Sequence, residues 1–129
     1  MAGTGERPQG YFPGRAPIEA YGNGGFRFAG MSHRGSILVL PDGIHAWPVT
    51  SMDEVDARTL APVLSLGGAA GFLLLGTGER QIFPAIVLKE AFERAGIGLE
   101  PMSTGSACRT LNVLLEEGRA VSAALIAVA

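Results

Sequence analysis

From Gly25 the chain alternates, with Phe26 and Phe28 apolar around Arg27, and this period of two predicts a strand. Ile37 to Leu40, a short aliphatic run after Arg34 and Gly35, predicts a second. Pro41-Asp42-Gly43 is turn chemistry, because proline fixes φ at one corner and glycine accepts a positive φ at another. Ile44 to Val49 should therefore return as a third strand. Pro48 has no N–H to donate, so this strand lies at an edge or ends there.

Helical spacing then takes over. Leu60, Val63 and Leu64 predict a helix over residues 57 to 66, capped by Asp53 or Asp56, with Pro62 early in it and Gly67-Gly68 at its end. Phe72 to Leu75 is a continuous apolar run between glycines, which predicts a strand buried on both faces at the centre of the sheet. After Pro84, the residues Leu88, Ala91, Phe92 and Ala95 recur at i, i+3, i+4 and i+7, and Gly96 ends that helix. Ile97 to Met102 is a short strand, and Ser103 or Thr104 offers the side-chain oxygen that caps the next helix. Ala107, Leu111, Leu114 and Leu115 are its buried stripe, Gly118 its end, and Ala120 to Val128 a last strand. The small residues of that strand predict a place beneath a helix or against another backbone. Strand and helix alternate from residue 57 onward, so the fold class is α/β, a single layered domain with a β-rich N-terminal part.

The length of 129 residues fits one domain. Residues 1 to 30 hold eight of the 19 glycines and three of the eight prolines, so residues 1 to 24 read as a Gly/Pro-rich N-terminal arm before a domain over 25 to 129. The arm is either flexible or docked through aromatics such as Tyr11, Phe12 and Tyr21. A net charge of -2 without any Lys/Arg run removes the footprint of a nucleic-acid binder. No stretch is long and apolar enough for membrane insertion, and a single cysteine, Cys108, suits a reducing compartment, so the expected location is cytoplasmic. With only His33 and His45 as histidines, neither a metal nor another cofactor is expected.

Two polar clusters deserve chemical scrutiny. Gly76, Thr77 and Gly78, followed by Arg80, leave the C-terminal end of a buried strand, where open α/β sheets hold ligands. Neither the dinucleotide nor the phosphate-loop spacing is completed, since Gln81 stands where a third glycine belongs and no Gly-Lys-Ser/Thr follows. Ser103, Thr104, Arg109 and Asn112 gather at a helix start, whose free N–H groups attract anions. Together the two clusters define a candidate anion or ligand pocket; otherwise Arg109 and Asn112 bond the 76–80 loop and fix the helix to the sheet. Cys108 near the same helix start is either a low-pKa nucleophile or a small buried hydrophobe, and no histidine lies near it in sequence to act as base. Glu116 and Glu117 diverge on a helix, which leaves them solvated or lets Glu117 pair with Arg119. His45 and Trp47 are a candidate partner surface, although a lone tryptophan also serves as a core anchor.

Several strings together are similar to one family. They are Gly43-Ile44-x-x-Trp47-Pro48, Phe72 to Gly78, the run from Gly96 through Glu100, Met102-Ser103-Thr104 and Ala107-Cys108-Arg109-Thr110-Leu111-Asn112, and Glu117-Gly118-Arg119. The chain resembles the Mth938-like domain family over roughly residues 25 to 128. The resemblance implies a mixed β-sheet flanked by helices with an N-terminal β-hammerhead-like excursion. It brings no established enzymatic activity; it implies a non-enzymatic binding role, chiefly in assembling respiratory NADH dehydrogenase (complex I), with a respiratory-complex subunit or another assembly factor as protein partner. A small-molecule binder or enzyme using the 76–80 loop and the 103–112 helix start is the competing expectation.

Overall fold

The computed structural model describes residues 11–129. Its strands are β1 (Tyr11–Pro13), β2 (Ile18–Gly22), β3 (Gly25–Phe28), β4 (Met31–Arg34), β5 (Ser36–Leu40), β6 (Gly43–Trp47), β7 (Phe72–Gly76), β8 (Gly98–Met102) and β9 (Ser122–Leu125). The α-helices are α1 (Ala61–Leu64), α2 (Ile86–Ala95) and α3 (Thr104–Glu116). Six strands form one mixed sheet in the order β1-β6-β5-β9-β7-β8, and β2-β3-β4 form a separate antiparallel sheet. The small sheet stands where the N-terminal excursion is expected. β7 runs parallel to both β8 and β9, whereas β5 pairs antiparallel with β9 and β6.

The period of two in the strands divides the core cleanly. Leu38 and Leu40 of β5, Leu73 and Leu75 of β7, and Ala124 of β9 pack on one face with Val63 of α1 and Leu88 and Phe92 of α2. Ile37, Val39, Leu74, Ala123 and Leu125 pack on the other with Ala107, Cys108 and Leu111 of α3 and with Ile18, Phe26 and Phe28 of the small sheet. Successive strand side chains point to opposite faces, so one sheet feeds two cores. Each fully buried leucine is worth about 2 kcal/mol.

Four expectations change. Residues 11 to 24, read as arm, carry β1 and β2; residues 1 to 10 lie outside the described residues. Aromatic docking explains this: Tyr11 pairs with His45 across β1 and β6, its hydroxyl donates to the Asp42 carbonyl (2.9 Å), and Phe12 meets Phe28 edge-on at 5.8 Å. The helix expected over 57–66 shrinks to Ala61–Leu64. Asp56 and Thr59 trade side-chain bonds to each other's backbone N–H, and the Trp47 indole takes the Thr59 carbonyl, so the preceding turn is bound elsewhere. β7 is interior but not central: β5 and β9 occupy the middle. An apolar run reports burial on two faces, not the number of strands on either side. Last, β4 is an element beyond those expected, because its Met31-Ser32-His33-Arg34 has no hydrophobic alternation to announce a strand.

Other local expectations hold. β6 ends before Pro48, α2 ends at Gly96 in the left-handed conformation (φ 74°), and Ser103 caps α3 by accepting from the Ser106 N–H at 3.3 Å. Arg119 pairs with Glu117 at 3.6 Å.

Candidate functional site

β7, β8 and β9 are parallel, so their carboxyl ends share one edge of the main sheet. Gly76 ends β7 there, and a side chain on it would crowd Leu125 and the Thr104 backbone. Its neighbour Thr77 is buried, 3% exposed. The Thr77 N–H donates to the Met102 carbonyl (2.8 Å), its hydroxyl donates to the Arg80 carbonyl (2.5 Å), and the same oxygen accepts from the Ile82 N–H (3.0 Å). Thr77 therefore closes the 77–82 loop on itself.

Thr104, fully buried in the first turn of α3, plays the complementary part. Its hydroxyl donates to the Ile126 carbonyl (2.7 Å) and accepts from the Gly78 N–H (3.0 Å), while its own N–H donates to the Gly78 carbonyl (2.8 Å). Three segments from distant parts of the chain meet at this one hydroxyl. Ser103 spends its oxygen on the cap and on the Ser106 hydroxyl at 3.0 Å.

Structure thus brings Gly76, Thr77, Gly78, Ser103 and Thr104 together, but as mutually bonded groups. Arg80 is exposed. Arg109 and Asn112 turn to the small sheet rather than to the 76–80 loop. Arg109 donates to the Tyr21 hydroxyl at 3.5 Å and to the Ser106 hydroxyl at 3.3 Å. The Asn112 side chain accepts from the Ile18 N–H (2.8 Å) and donates to the Ile18 carbonyl (2.9 Å), which imitates a strand neighbour and ties α3 to β2. Their expected bonds to the loop are replaced because β2 crosses α3, a packing that exists only once the supposed arm is in place.

The His45 and Trp47 surface also divides. Trp47 is 4% exposed, packs in the α1 and α2 core, and donates from its indole to the Thr59 carbonyl at 2.8 Å. It anchors the core and cannot meet a partner. His45 is half-buried, with Nε2 2.9 Å from Asp42 Oδ1 and its ring 4.8 Å from that of Tyr11.

Cys108 is buried against the sheet, and burial pushes its thiol up to about 12, opposed only in part by neighbouring Arg109. The nucleophilic thiolate is thereby suppressed. Iodoacetamide at pH 8 should leave native Cys108 unmodified and label it fully in urea. Since the folded state holds a proton that the unfolded chain releases above about pH 9, this thiol makes stability fall as pH rises from about 9 towards 12. Cys108→Ala should flatten the fall in urea midpoint between pH 8 and pH 10; an unchanged slope would show that the thiol is not the cause.

One surface feature has little signature in the sequence. Ile82, Phe83, Ile86 and Val87 are all exposed, on the loop and first turn leading into Leu88. The available signal was the absence of any polar side chain from Ile82 to Val87, whereas helical spacing begins to bury residues only at Leu88.

Comparison with known proteins places this geometry. A family model described as "Protein of unknown function (DUF498/DUF598)" matches residues 18–126, from the first buried residue of β2 to the end of the core. The chain belongs to the DUF498/DUF598 family. This DUF498/DUF598 domain is 42% identical over 115 residues to an uncharacterised protein of Rhodobacter capsulatus, covering 89% of this chain and 87% of that one. It is 30% identical over 120 residues to NADH dehydrogenase (ubiquinone) 1 alpha subcomplex assembly factor 3 of Mus musculus, covering 92% of this chain but 64% of the mouse protein. The chain therefore spans just under two thirds of that relative's length. A crystal structure described as an outer membrane protein from Bartonella henselae superposes with TM-score 0.87 at 47% identity, over 92% of this chain and 99% of that one. A Bordetella pertussis protein solved as an Mth938-like domain superposes at 0.72 with 27% identity, over 87% and 85% of the two chains, and fits the Mth938-like fold expected above. Among the described residues, no helix is long and apolar enough to cross a membrane.

Proposed function

We propose that this chain is a protein-binding assembly domain that supports assembly of respiratory NADH dehydrogenase from the cytoplasmic side. The observation that carries this reading is the 30% identity to the mouse assembly factor across 92% of the chain. Two features of the structure support it. The polar groups at the carboxyl ends of β7 and β8 are spent on one another, leaving the scaffold braced instead of presenting convergent donors to a small anion. Cys108, the one thiol, is protonated and buried.

Deleting the gene tests the reading directly. Native gels and NADH oxidation by isolated membranes should show less assembled NADH dehydrogenase in the deletion strain, with recovery when the chain is supplied again. Normal assembly without the gene would overturn it.

A further inference from the structure

Six consecutive residues from Ile82 to Val87 carry no polar side chain, and all but half-buried Pro84 stand in water. Phe83 is 74% exposed, Ile86 and Val87 72% each, and Ile82 46%. Roughly 500 Å² of apolar side chain is left uncovered, near the upper end of the largest patch on an ordinary monomer. The segment is held in shape. The Ile82 N–H bonds Thr77 at 3.0 Å, the Gln81 side chain donates to the Pro101 carbonyl at 2.9 Å, and Leu88 anchors the following turn in the core. Much of the ordering cost of binding is therefore met before any partner arrives.

Charge and area identify the occupant. Glu79 and Arg80 precede the patch and Lys89, Glu90, Glu93 and Arg94 follow it, three of each sign, and none forms an ion pair with another described residue. A balanced border supplies no field to hold an anionic lipid surface. It does complement a protein rim bearing both signs. Two copies of the patch facing each other fall short of the ~800 Å² per partner of a standard stable interface. An apolar centre of this size with a polar border matches the core of a heterologous interface, in which one aromatic residue enters a pocket.

We infer that residues 82 to 87 dock, with Phe83 as anchor, into an apolar cleft rimmed by charges of both signs on a protein partner. The inference rests on the assembly reading above and names the surface that serves it. The test uses the full chain with a photo-cross-linking residue at position 83, a control at exposed Val113, and the double variant Phe83→Glu/Ile86→Glu expressed in the deletion strain. Position 83, and not 113, should cross-link a subunit or assembly factor of NADH dehydrogenase. The double variant should melt like wild type, bind that partner at least ~30-fold more weakly, and fail to restore assembly. A defective deletion strain fully rescued by the double variant leaves the assembly reading standing and overturns the docking surface. A normal deletion strain whose position 83 still cross-links one protein, lost in the double variant, sinks the assembly reading and keeps the surface. Cross-links from position 83 to lipid, to the chain itself or to a second copy overturn the inference.

Discussion

Replacing Gly71 with alanine is expected to cost about 4 kcal/mol or more of folding stability, enough to lower Tm by roughly 12 °C or to leave the chain unfolded in the cell. Gly71 closes the 3-10 turn Gly67–Ala70 with φ 73° and ψ −110° and turns the chain into β7. A Cβ at this position would lie 2.5 Å from the Ala120 carbonyl carbon, closer still to its oxygen, and 3.1 Å from the Ala120 Cβ. Backbone cannot swing aside as a side chain does. Ala120 leads into β9, which is hydrogen-bonded on both sides in the middle of the sheet, and the Ser122 hydroxyl bonds the Ala70 carbonyl at 2.8 Å. Gly118 supplies the comparison without a clash, because its φ of 72° is also positive and nothing lies within 4 Å of its added Cβ, whereas Gly71 combines the clash with a ψ of −110°. Gly118→Ala should cost only about 1 kcal/mol, the penalty of a left-handed residue alone. Equal losses for the two variants in urea titration would show that the clash is relieved by local adjustment.

Thr104→Val is the second large effect, at about 3 kcal/mol. Valine keeps the shape of a fully buried threonine and removes its hydroxyl. The Ile126 carbonyl then loses its donor and the Gly78 N–H its acceptor, each costing about 1 to 3 kcal/mol when left unpaired. Gly78 is half-buried, so water recovers part of the second term. Thr104→Ser keeps both bonds and gives up one methyl group, about 1 kcal/mol. Urea denaturation should therefore rank wild type above serine and serine well above valine. Valine equal to serine would mean that the hydroxyl holds nothing together. The same junction sets the carboxyl end of β7 and the loop that follows, so the valine variant should also loosen presentation of Phe83.

Much of the domain was readable from local pattern. The hairpin at Pro41-Asp42, the left-handed stop at Gly96, the Ser103 cap and the stripe around Leu111 each follow from a few neighbouring residues. The candidate site was legible in composition more than in partnership. Ser103, Thr104 and the Gly76 loop do meet, yet Asn112 bonds Ile18, 94 positions away, and Arg109 meets Tyr21 across 88. Trp47 illustrates the same limit. Its sequence neighbours His45 and Pro48 suggest a surface hairpin, whereas the carbonyl that satisfies its indole comes from the turn before α1. The exposed Ile82 to Val87 segment shows the opposite limit: it is as apolar as a buried strand, yet the chain packs into the core only from Leu88 onward, which local composition does not reveal.

The amino-acid order alone determined the β5–β6 turn, the ends of β6 and α2, the cap of α3 and which faces of β5, β7 and α3 are apolar, because turn, cap and periodicity depend on residues within a few positions of one another. Tertiary structure alone decided that β9 enters between β5 and β7, that the Gly/Pro-rich residues 11 to 22 supply strands β1 and β2, and which hydroxyl each buried carbonyl receives. Those outcomes depend on contacts between segments tens of residues apart. Competition among them for a limited number of hydrogen bonds and for volume in two cores is resolved only when the whole chain packs at once.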